Sequence, residues 1–168
     1  MEKLKSIYSL QDICIESKKE GKKIVTTNGA FDLLHKGHIF LFEKAKKQGD
    51  VLIVGVNSDR SIREYKSPTR PINSQEDRIA VLQAIEYIDY LTIFDEPTPC
   101  NFLRAIQPDI HVKSKEGYKG LEETVIDRDK IILIEDVPNY SSSMLFKKLY
   151  HDMVHSDTYR KGQPEVKL

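Results

Sequence analysis

Residues 24–41, IVTTNGAFDLLHKGHIFL, constrain the fold of this chain more than any other stretch. The run opens with β-branched residues, which suit a buried strand, and an apolar, helix-like run begins near His38. A turn that starts at Asn28 and Gly29 joins the two and holds His35 near His38. A strand, a short turn and a helix in so small a space predict the first unit of an alternating α/β fold.

The residue types of this turn are typical of a phosphate-binding site. Gly37 lets a ligand approach the backbone closely, and the helix behind it directs N–H groups and the positive end of its dipole at the turn. Two imidazoles beside such a helix end suit an anion whose charge grows during a reaction, and a triphosphate is the anion that we predict. The alternative is an ordinary βα turn whose histidines face water. The strand before the turn and the helix after it favour the functional interpretation.

Strand-like and helix-like patterns alternate along the rest of the chain. Apolar and β-branched runs predict strands at residues 23–28, 51–56, 90–94, 109–113 and 130–135. Caps and helical spacing predict helices at residues 9–19, 38–48, 75–88, 98–106 and 141–154, with a basic loop at 61–73. This alternation predicts an α/β fold: a Rossmann-like, doubly wound five-stranded parallel sheet with helices on both faces. We expect one domain over residues 1–154 and a flexible polar tail over residues 155–168.

Polar residues follow four of the predicted strands directly. They lie at residues 28–32, at 57–59, at Lys113 and at 139–143. In a parallel sheet the carboxyl ends of the strands lie at one edge, and ligands bind beyond that edge. The sequence therefore predicts a single binding site to which all four strand ends contribute.

The charge balance and the apolar pattern argue against several kinds of partner. The chain has 168 residues with 26 basic and 26 acidic side chains, so no net field attracts nucleic acid or an anionic membrane. Its first residues lack the apolar core of a signal peptide, and no apolar run reaches membrane-spanning length. We therefore expect a cytoplasmic protein, in which Cys14 and Cys100 remain thiols.

Several motifs together resemble those of a known enzyme family. They are NGAFDLLHKGH, VNSD, RPIN followed by DR, and QPDIHVK, and the resemblance spans residues 22–148. The pattern resembles the small H-x-G-H nucleotidyltransferases of the cytidylyltransferase-like superfamily, and it is most similar to the bacterial glycero-manno-heptose 1-phosphate adenylyltransferases. The resemblance implies that a nucleoside monophosphate passes from a nucleoside triphosphate, with ATP favoured over CTP, to a small phosphorylated acceptor. It further implies in-line displacement of pyrophosphate, Mg²⁺ as the cofactor, and a homodimer.

The resemblance also implies roles for the residues of the first turn. His35 and His38 would donate hydrogen bonds to phosphate oxygens, the helix end at Gly37 would cradle the same phosphates, and Gly29 would make room for the nucleotide. Asp32 would either orient the turn or help to hold Mg²⁺. The implied nucleotide-binding residues are Asn28, Gly29, Ala30, Phe31, Asp32, Gly37, His38, Lys113, Ser141, Ser142 and Ser143.

Side chains from the middle of the chain complete the implied site. Lys66, in the predicted loop, would close over the α-phosphate and neutralise the transition state. Arg78 would grip phosphate with two guanidinium nitrogens, and Arg70 would bind the acceptor. Asp59 would bind substrate hydroxyls or a neighbouring basic group, or would only cap a helix.

After the fourth strand the chain departs from the pattern of the heptose enzymes. Those enzymes read V-K-G-G-D-Y, whereas residues 112–118 here read VKSKEGY, with bulky charged side chains in place of glycine. This departure leaves the acceptor open, and Lys115 is placed to meet an additional anion. The alternatives are a cytidylyltransferase for a phosphorylated polyol or phosphonate, a flavin-nucleotide synthase, and a nucleotide-binding regulatory module without turnover.

Overall fold

A five-stranded parallel sheet forms the centre of the structure, a computed structural model that describes residues 2–138 and 142–155. Its strands are β1 (Ile24–Gly29), β2 (Val51–Asn57), β3 (Tyr90–Phe94), β4 (Ile110–Ser114) and β5 (Ile131–Ile134). The order across the sheet is β3-β2-β1-β4-β5, and every neighbouring pair is parallel. The predicted Rossmann-like fold class is therefore confirmed.

The described residues form α-helices between these strands and at both ends of the sheet-forming region. They are α1 (Ile7–Lys19), α2 (Lys36–Lys46), α3 (Asp59–Tyr65), α4 (Gln75–Gln83), α5 (Cys100–Ile106) and α6 (Ser142–His155). Two short 3₁₀ segments, Leu121–Thr124 and Arg128–Lys130, lie between β4 and β5.

Helix α3 occupies the first part of the segment that the sequence predicts as a loop at 61–73, so that prediction was wrong. Ser58 caps α3, because its hydroxyl accepts a hydrogen bond from the backbone N–H of Ser61 at 3.0 Å. The buried hydroxyl of Ser61 in turn donates to the carbonyl of Glu96 at 2.8 Å. These polar residues are typical of a loop in sequence, but here they begin and anchor a helix.

Both faces of the sheet are covered, as predicted. Helices α2 and α4 pack on the face that carries Val25, Leu52 and Val54, whereas α1 and α5 pack on the face that carries Ile24 and Ile53. Strand β2 is consequently buried along its whole length. Polar ligand-binding residues can therefore reach solvent only where the strands end.

The carboxyl ends of the strands meet at one edge of the sheet, where the candidate site lies. Gly29, at the end of β1, is beside Val56 near the end of β2. Ser114, at the end of β4, is beside Ile134 at the end of β5. The register thus brings together the strand ends that carry the predicted polar clusters.

Part of the prediction concerns residues that lie outside the described ranges. They are residues 139–141 and residues 156–168. Of the tail predicted at residues 155–168, the structure therefore describes only His155, which ends α6. Within residues 2–138 and 142–155, no helix is both long enough and apolar enough to cross a membrane.

Candidate active site

The rings of His35 and His38 lie against each other in a tilted arrangement at the start of α2. His35 is the N-cap residue, and its Nδ1 accepts a hydrogen bond from the backbone N–H of Gly37 at 3.1 Å. The Nδ1 of His38 accepts a hydrogen bond from the backbone N–H of His35 at 3.3 Å. The two ring centroids are 3.8 Å apart, with the ring planes at 30°. The H-x-G-H spacing places both rings in the first turn of the helix, as in a reciprocal cap.

These hydrogen bonds determine which ring nitrogen carries the proton. A neutral imidazole has one N–H donor and one acceptor nitrogen, and Nδ1 is the acceptor in both rings. Both Nε2 atoms are therefore N–H donors. The backbone N–H of Gly37 already donates to His35, and that of His38 donates to the His35 carbonyl at 2.9 Å. The backbone N–H groups of Gly37 and His38 are therefore engaged within the helix start, where the resemblance implies that they cradle phosphates.

Burial keeps the two imidazoles neutral. It lowers the pKa of His38 to about 3, and the charges of His35 and Lys66 act in the same direction. Burial also lowers the pKa of His35. A positive charge beside either ring would be costly in this partly desolvated place, so each ring acts as a neutral donor at pH 7.

We expect the free energy of unfolding to fall as the pH drops from about 6.5 towards 3, partly because of His38. In this window the unfolded chain binds a proton at His38 that the folded chain does not bind, so acid favours unfolding. Urea unfolding of the wild type and of His38→Asn, at about pH 7.5 and about pH 5, measures the effect. The free energy of unfolding of the wild type minus that of the variant should be smaller at the lower pH, because asparagine does not bind a proton in this range. A difference that is the same at both pH values would contradict the lowered pKa.

Phe31 packs against His38 in an uncommon backbone conformation. Its φ is +49°, in the left-handed region that aromatic residues rarely adopt, and its ring meets the His38 ring edge-to-face at a centroid distance of 5.5 Å. A Cβ added at Gly29 would lie 3.1 Å from the Phe31 ring. The space that Gly29 leaves is thus filled by Phe31, where the resemblance implies room for the nucleotide. Such strain is typical of functional turns that the surrounding packing holds in place.

Two adjoining cavities open at this edge of the sheet. The inner cavity, of about 400 Å³, lies between the ends of β1 and β4 and the 3₁₀ segment Leu121–Thr124. The outer cavity, of about 350 Å³, lies between the start of α2 and residues 134–137. The predicted nucleotide-binding residues that line the inner cavity are Asn28, Gly29, Ala30, Phe31, Asp32, His38 and Lys113. His35 and Gly37 line the outer cavity.

Lys66 lies where the two cavities meet. It ends helix α3 as the C-cap residue and, like His38, lines both cavities. Burial, together with the positive charges of Arg70 and Arg78, lowers the pKa of Lys66, while Asp32 opposes the shift. A cation is therefore placed beside the imidazole donors, at the end of a capped helix.

Asp32 anchors the segment that follows Lys66. Its Oδ1 accepts hydrogen bonds from the backbone N–H groups of Ile72 at 2.9 Å and Asn73 at 3.0 Å, and its Oδ2 is 3.2 Å from the guanidinium of Arg70. Oδ1 is thus engaged with backbone, which fits the predicted orienting role, whereas Oδ2 has an ion pair but no hydrogen bond. Among the described residues, no group of three or more His, Cys, Asp or Glu could hold a metal ion.

Arg70 connects the first turn to helix α6. Besides the ion pair with Asp32, its guanidinium lies 4.4 Å from the centre of the Phe146 ring, within range of a cation–π contact. Arg70 is not among the described residues that line either cavity. The structure shows Arg70 engaged with Asp32 and Phe146, and its contact with the acceptor stays a prediction.

Arg78 is fully buried and joins three elements near the strand ends. Its guanidinium donates to the carbonyl of Ala30, to the carbonyl of Asn57 at 2.8 Å, and to the carboxylate of Asp59 at 2.8 Å. The Arg78 side chain is 0% exposed, and neither Arg78 nor Asp59 is among the described residues that line a cavity. This placement differs from the predicted phosphate and acceptor contacts, because the two side chains are paired with each other.

Two lysines near the end of β4 have different environments: Lys113 lies in the wall of the inner cavity, and Lys115 lies at the surface. The Nζ of Lys113 donates to Asn28 Oδ1 at 3.0 Å in the wall of the inner cavity. Lys115 instead pairs with Glu135 and is half exposed, outside the described linings of both cavities. The backbone N–H of Glu116 also donates to a residue after β5. The Lys115 side chain and the backbone of Glu116 thus tie this loop to the segment after β5, and the acceptor role of Lys115 stays a prediction.

The predicted serines lie at the border of the described residues. Ser141 lies outside them, and Ser142 and Ser143 are the first residues of α6. The inner cavity also contains residues that the sequence did not single out, among them Thr27 and Glu122. Thr27 belongs to the apolar run of β1, and Glu122 belongs to a polar stretch without periodicity, so neither carried a signal in the sequence.

Known proteins resemble this chain in both sequence and structure. A family model described as cytidylyltransferase-like matches residues 26–148. The bifunctional protein HldE of Wolinella succinogenes is 48% identical over 149 residues, which are 88% of this chain and 31% of that protein. HldE of Syntrophotalea carbinolica is 37% identical over 167 residues, which are 95% of this chain and 32% of that protein. The chain thus spans about a third of the length of these relatives.

Solved structures share the same architecture. The lipopolysaccharide core biosynthesis protein of Thermoplasma volcanium superposes with a TM-score of 0.61 at 27% identity, over 70% of this chain and 99% of that protein. The pantoate-β-alanine ligase of Francisella tularensis superposes with a TM-score of 0.57 at 18% identity, over 94% of this chain and 81% of that chain. At this low identity the second likeness concerns the fold alone.

Proposed function

The chain belongs to the cytidylyltransferase-like family and is an enzyme of the nucleotidyl-transfer type, and from this premise we propose that it transfers the adenylyl group of ATP to a heptose 1-phosphate. The observation that carries the proposal is the pair of neutral imidazole donors beside Lys66, at the junction of two cavities. Two cavities accommodate two substrates, and the reacting phosphates would meet where the cavities join. The similarity to HldE and to a lipopolysaccharide core biosynthesis protein supports a sugar phosphate as the acceptor.

In the proposed reaction a phosphate oxygen of the acceptor attacks the α-phosphorus of ATP, and the bond from that phosphorus to pyrophosphate breaks. Charge grows on the bridging oxygen as this bond lengthens. The Nε2–H groups of His35 and His38 donate to this oxygen and to its neighbours, and Lys66 neutralises the α-phosphate. The side chains supply positioning and electrostatic stabilisation, and no covalent enzyme intermediate is needed.

Enzymes of this family generally use a divalent metal ion, and we propose Mg²⁺ bound to the triphosphate as part of the substrate. The contacts of Asp32 support this view, because Oδ1 already accepts two backbone hydrogen bonds and Oδ2 faces the guanidinium of Arg70 at 3.2 Å. Mg²⁺ keeps several water ligands and is commonly held by substrate phosphates. The homodimer that the resemblance implies stays a prediction.

Pyrophosphate release, measured for ATP, CTP and GTP with a panel of phosphorylated acceptors, tests this function. We expect release with ATP and a heptose 1-phosphate, and little release with either substrate alone. Preference for CTP with a polyol phosphate or a phosphonate would indicate the cytidylyltransferase alternative, and use of flavin mononucleotide would indicate a flavin-nucleotide synthase. Nucleotide binding without turnover for every pair would instead indicate a regulatory module.

A further inference from the structure

Three buried polar atoms in residues that line the inner cavity have no hydrogen-bond partner within residues 2–138 and 142–155: Thr27 Oγ1, Asp32 Oδ2 and Glu122 Oε2. Asp32 Oδ2 has an ion pair with the guanidinium of Arg70 at 3.2 Å, whereas Thr27 Oγ1 and Glu122 Oε2 have neither kind of partner among the described residues. Thr27 is fully buried and Glu122 is 3% exposed, and both residues line this cavity. Buried polar atoms without partners are rare and costly in folded proteins, so two in one cavity wall indicate a ligand that completes them.

Glu122 differs from an ordinary buried acid because its charge is only partly matched. Its Oε1 lies 3.7 Å from the Nζ of Lys113, which itself donates to Asn28 Oδ1 at 3.0 Å. An ionised carboxylate accepts hydrogen bonds and donates none, so Oε2 needs a donor from the ligand. A phosphate group offers only oxygen acceptors of like charge, and Glu122 would repel it.

The same charges orient a phosphorylated ligand in the cavity. Lys66 and His38 line the cavity where it joins the outer one, and they attract a phosphate group. Glu122 and Thr27 favour hydroxyl groups on the remainder of the molecule. The volume of about 400 Å³ is at the small end of the range for ligand sites, which suits a sugar phosphate better than a flavin nucleotide.

We propose that Glu122 and Thr27 recognise hydroxyl groups of the acceptor, so that this pair selects a polyhydroxylated phosphate such as a sugar 1-phosphate. This inference rests on the proposed function for the identity of the acceptor, and it assigns the inner cavity to that acceptor. It adds two specificity-determining residues, one of them in the 3₁₀ segment Leu121–Thr124. Selection follows from geometry and charge: an acceptor without hydroxyl groups leaves both atoms unsatisfied.

Binding measured by isothermal titration calorimetry tests the proposal without requiring turnover. The probes are heptose 1-phosphate, mannose 1-phosphate and, as a ligand without carbon-bound hydroxyls, methyl phosphate. We expect Glu122→Gln to raise the Kd of both sugar phosphates by about 10- to 100-fold, the size typical of a hydrogen bond to a charged group. The Kd values of methyl phosphate and of ATP should stay unchanged. Glu123→Gln is the matched control, because Glu123 is exposed, pairs with Arg128, and is outside both described linings.

Thr27→Val provides a second variant that should not disturb folding. It removes a buried hydroxyl without a protein partner and keeps the shape of the side chain, so the thermal midpoint should stay level or rise. The affinity for the sugar phosphates should nevertheless fall. A structural role for Thr27 would show the opposite pattern, with lower stability and normal affinity.

Three outcomes would overturn the inference. They are unchanged sugar-phosphate affinity in Glu122→Gln and Thr27→Val, a weakened affinity for ATP in place of the acceptor, and no sugar-phosphate binding by the wild type. The second outcome would assign these residues to the nucleotide. Failure of the proposed function would give a different result. The wild type would bind sugar phosphates and Glu122→Gln would weaken this binding, but the wild type would release no pyrophosphate.

Discussion

Replacement of His38 by alanine is expected to lower kcat by about 100- to 1,000-fold while the chain stays folded, because one preorganised donor to the developing charge is lost. His38 is the imidazole that lines both cavities, and its Nδ1 is already occupied by the backbone N–H of His35. Its Nε2–H is therefore the group that remains for the phosphates. A pyrophosphate-release assay with saturating substrates measures the effect.

Two further variants show whether the effect comes from loss of the N–H donor at this position. His38→Gln places a side-chain N–H donor near the position of the His38 Nε2 atom, so it should retain more activity than His38→Ala. His151→Ala is the matched control, because His151 is an exposed histidine on α6, outside both described linings. Circular dichroism and the thermal midpoint establish that each variant is folded. A His38→Ala enzyme with a near-normal rate would refute the catalytic role of this imidazole.

Replacement of Arg78 by alanine is expected to lower the free energy of unfolding by about 3–5 kcal/mol, the range for breaking a buried ion pair by removing one partner. The change would leave the carbonyls of Ala30 and Asn57 without their donor and Asp59 without its counter-charge. These acceptors lie directly after β1, at the end of β2 and in α3, so the site would lose its shape as well. Urea unfolding followed by circular dichroism measures the loss.

Matched variants show whether this effect comes from the hydrogen bonds that the buried Arg78 guanidinium donates. Arg78→Lys keeps the charge but not the forked geometry and should lie between the wild type and Arg78→Ala. Arg104→Ala removes an exposed arginine of α5, whose guanidinium donates to Asn101, and should have little effect on stability. A stable but inactive Arg78→Ala variant would instead favour the phosphate contact that the resemblance implies.

Local sequence patterns were sufficient for the parts of the site that lie close together in the chain. The run from Ile24 to Leu41 predicts a strand, a turn and a helix, and the structure contains β1 and α2 there. The pairing of His35 with His38 follows from their spacing, because residues three apart meet in the first turn of a helix. Alternation along the rest of the chain predicts the parallel sheet.

Residues far apart in the chain were harder to place, because their partners depend on the packing of separate elements. Arg78 has the charge of a phosphate ligand, but it is committed to acceptors at the ends of two strands. Glu122 lies in a stretch without periodicity, and only the path of the chain after β4 brings it within reach of Lys113. Lys115 has the charge expected of an acceptor ligand, but Glu135 holds it at the surface.

The amino-acid sequence by itself determined the fold class, the edge of the sheet at which the candidate site lies, and the proximity of the two histidines, since hydrophobic period and short-range spacing are local properties. Tertiary structure alone decided which charges face the cavities and which neutralise one another. A charged side chain binds whichever opposite charge or polar group is near it in space, and that neighbour can be tens of residues away: Arg78 meets Asp59, and Asp32 meets Arg70.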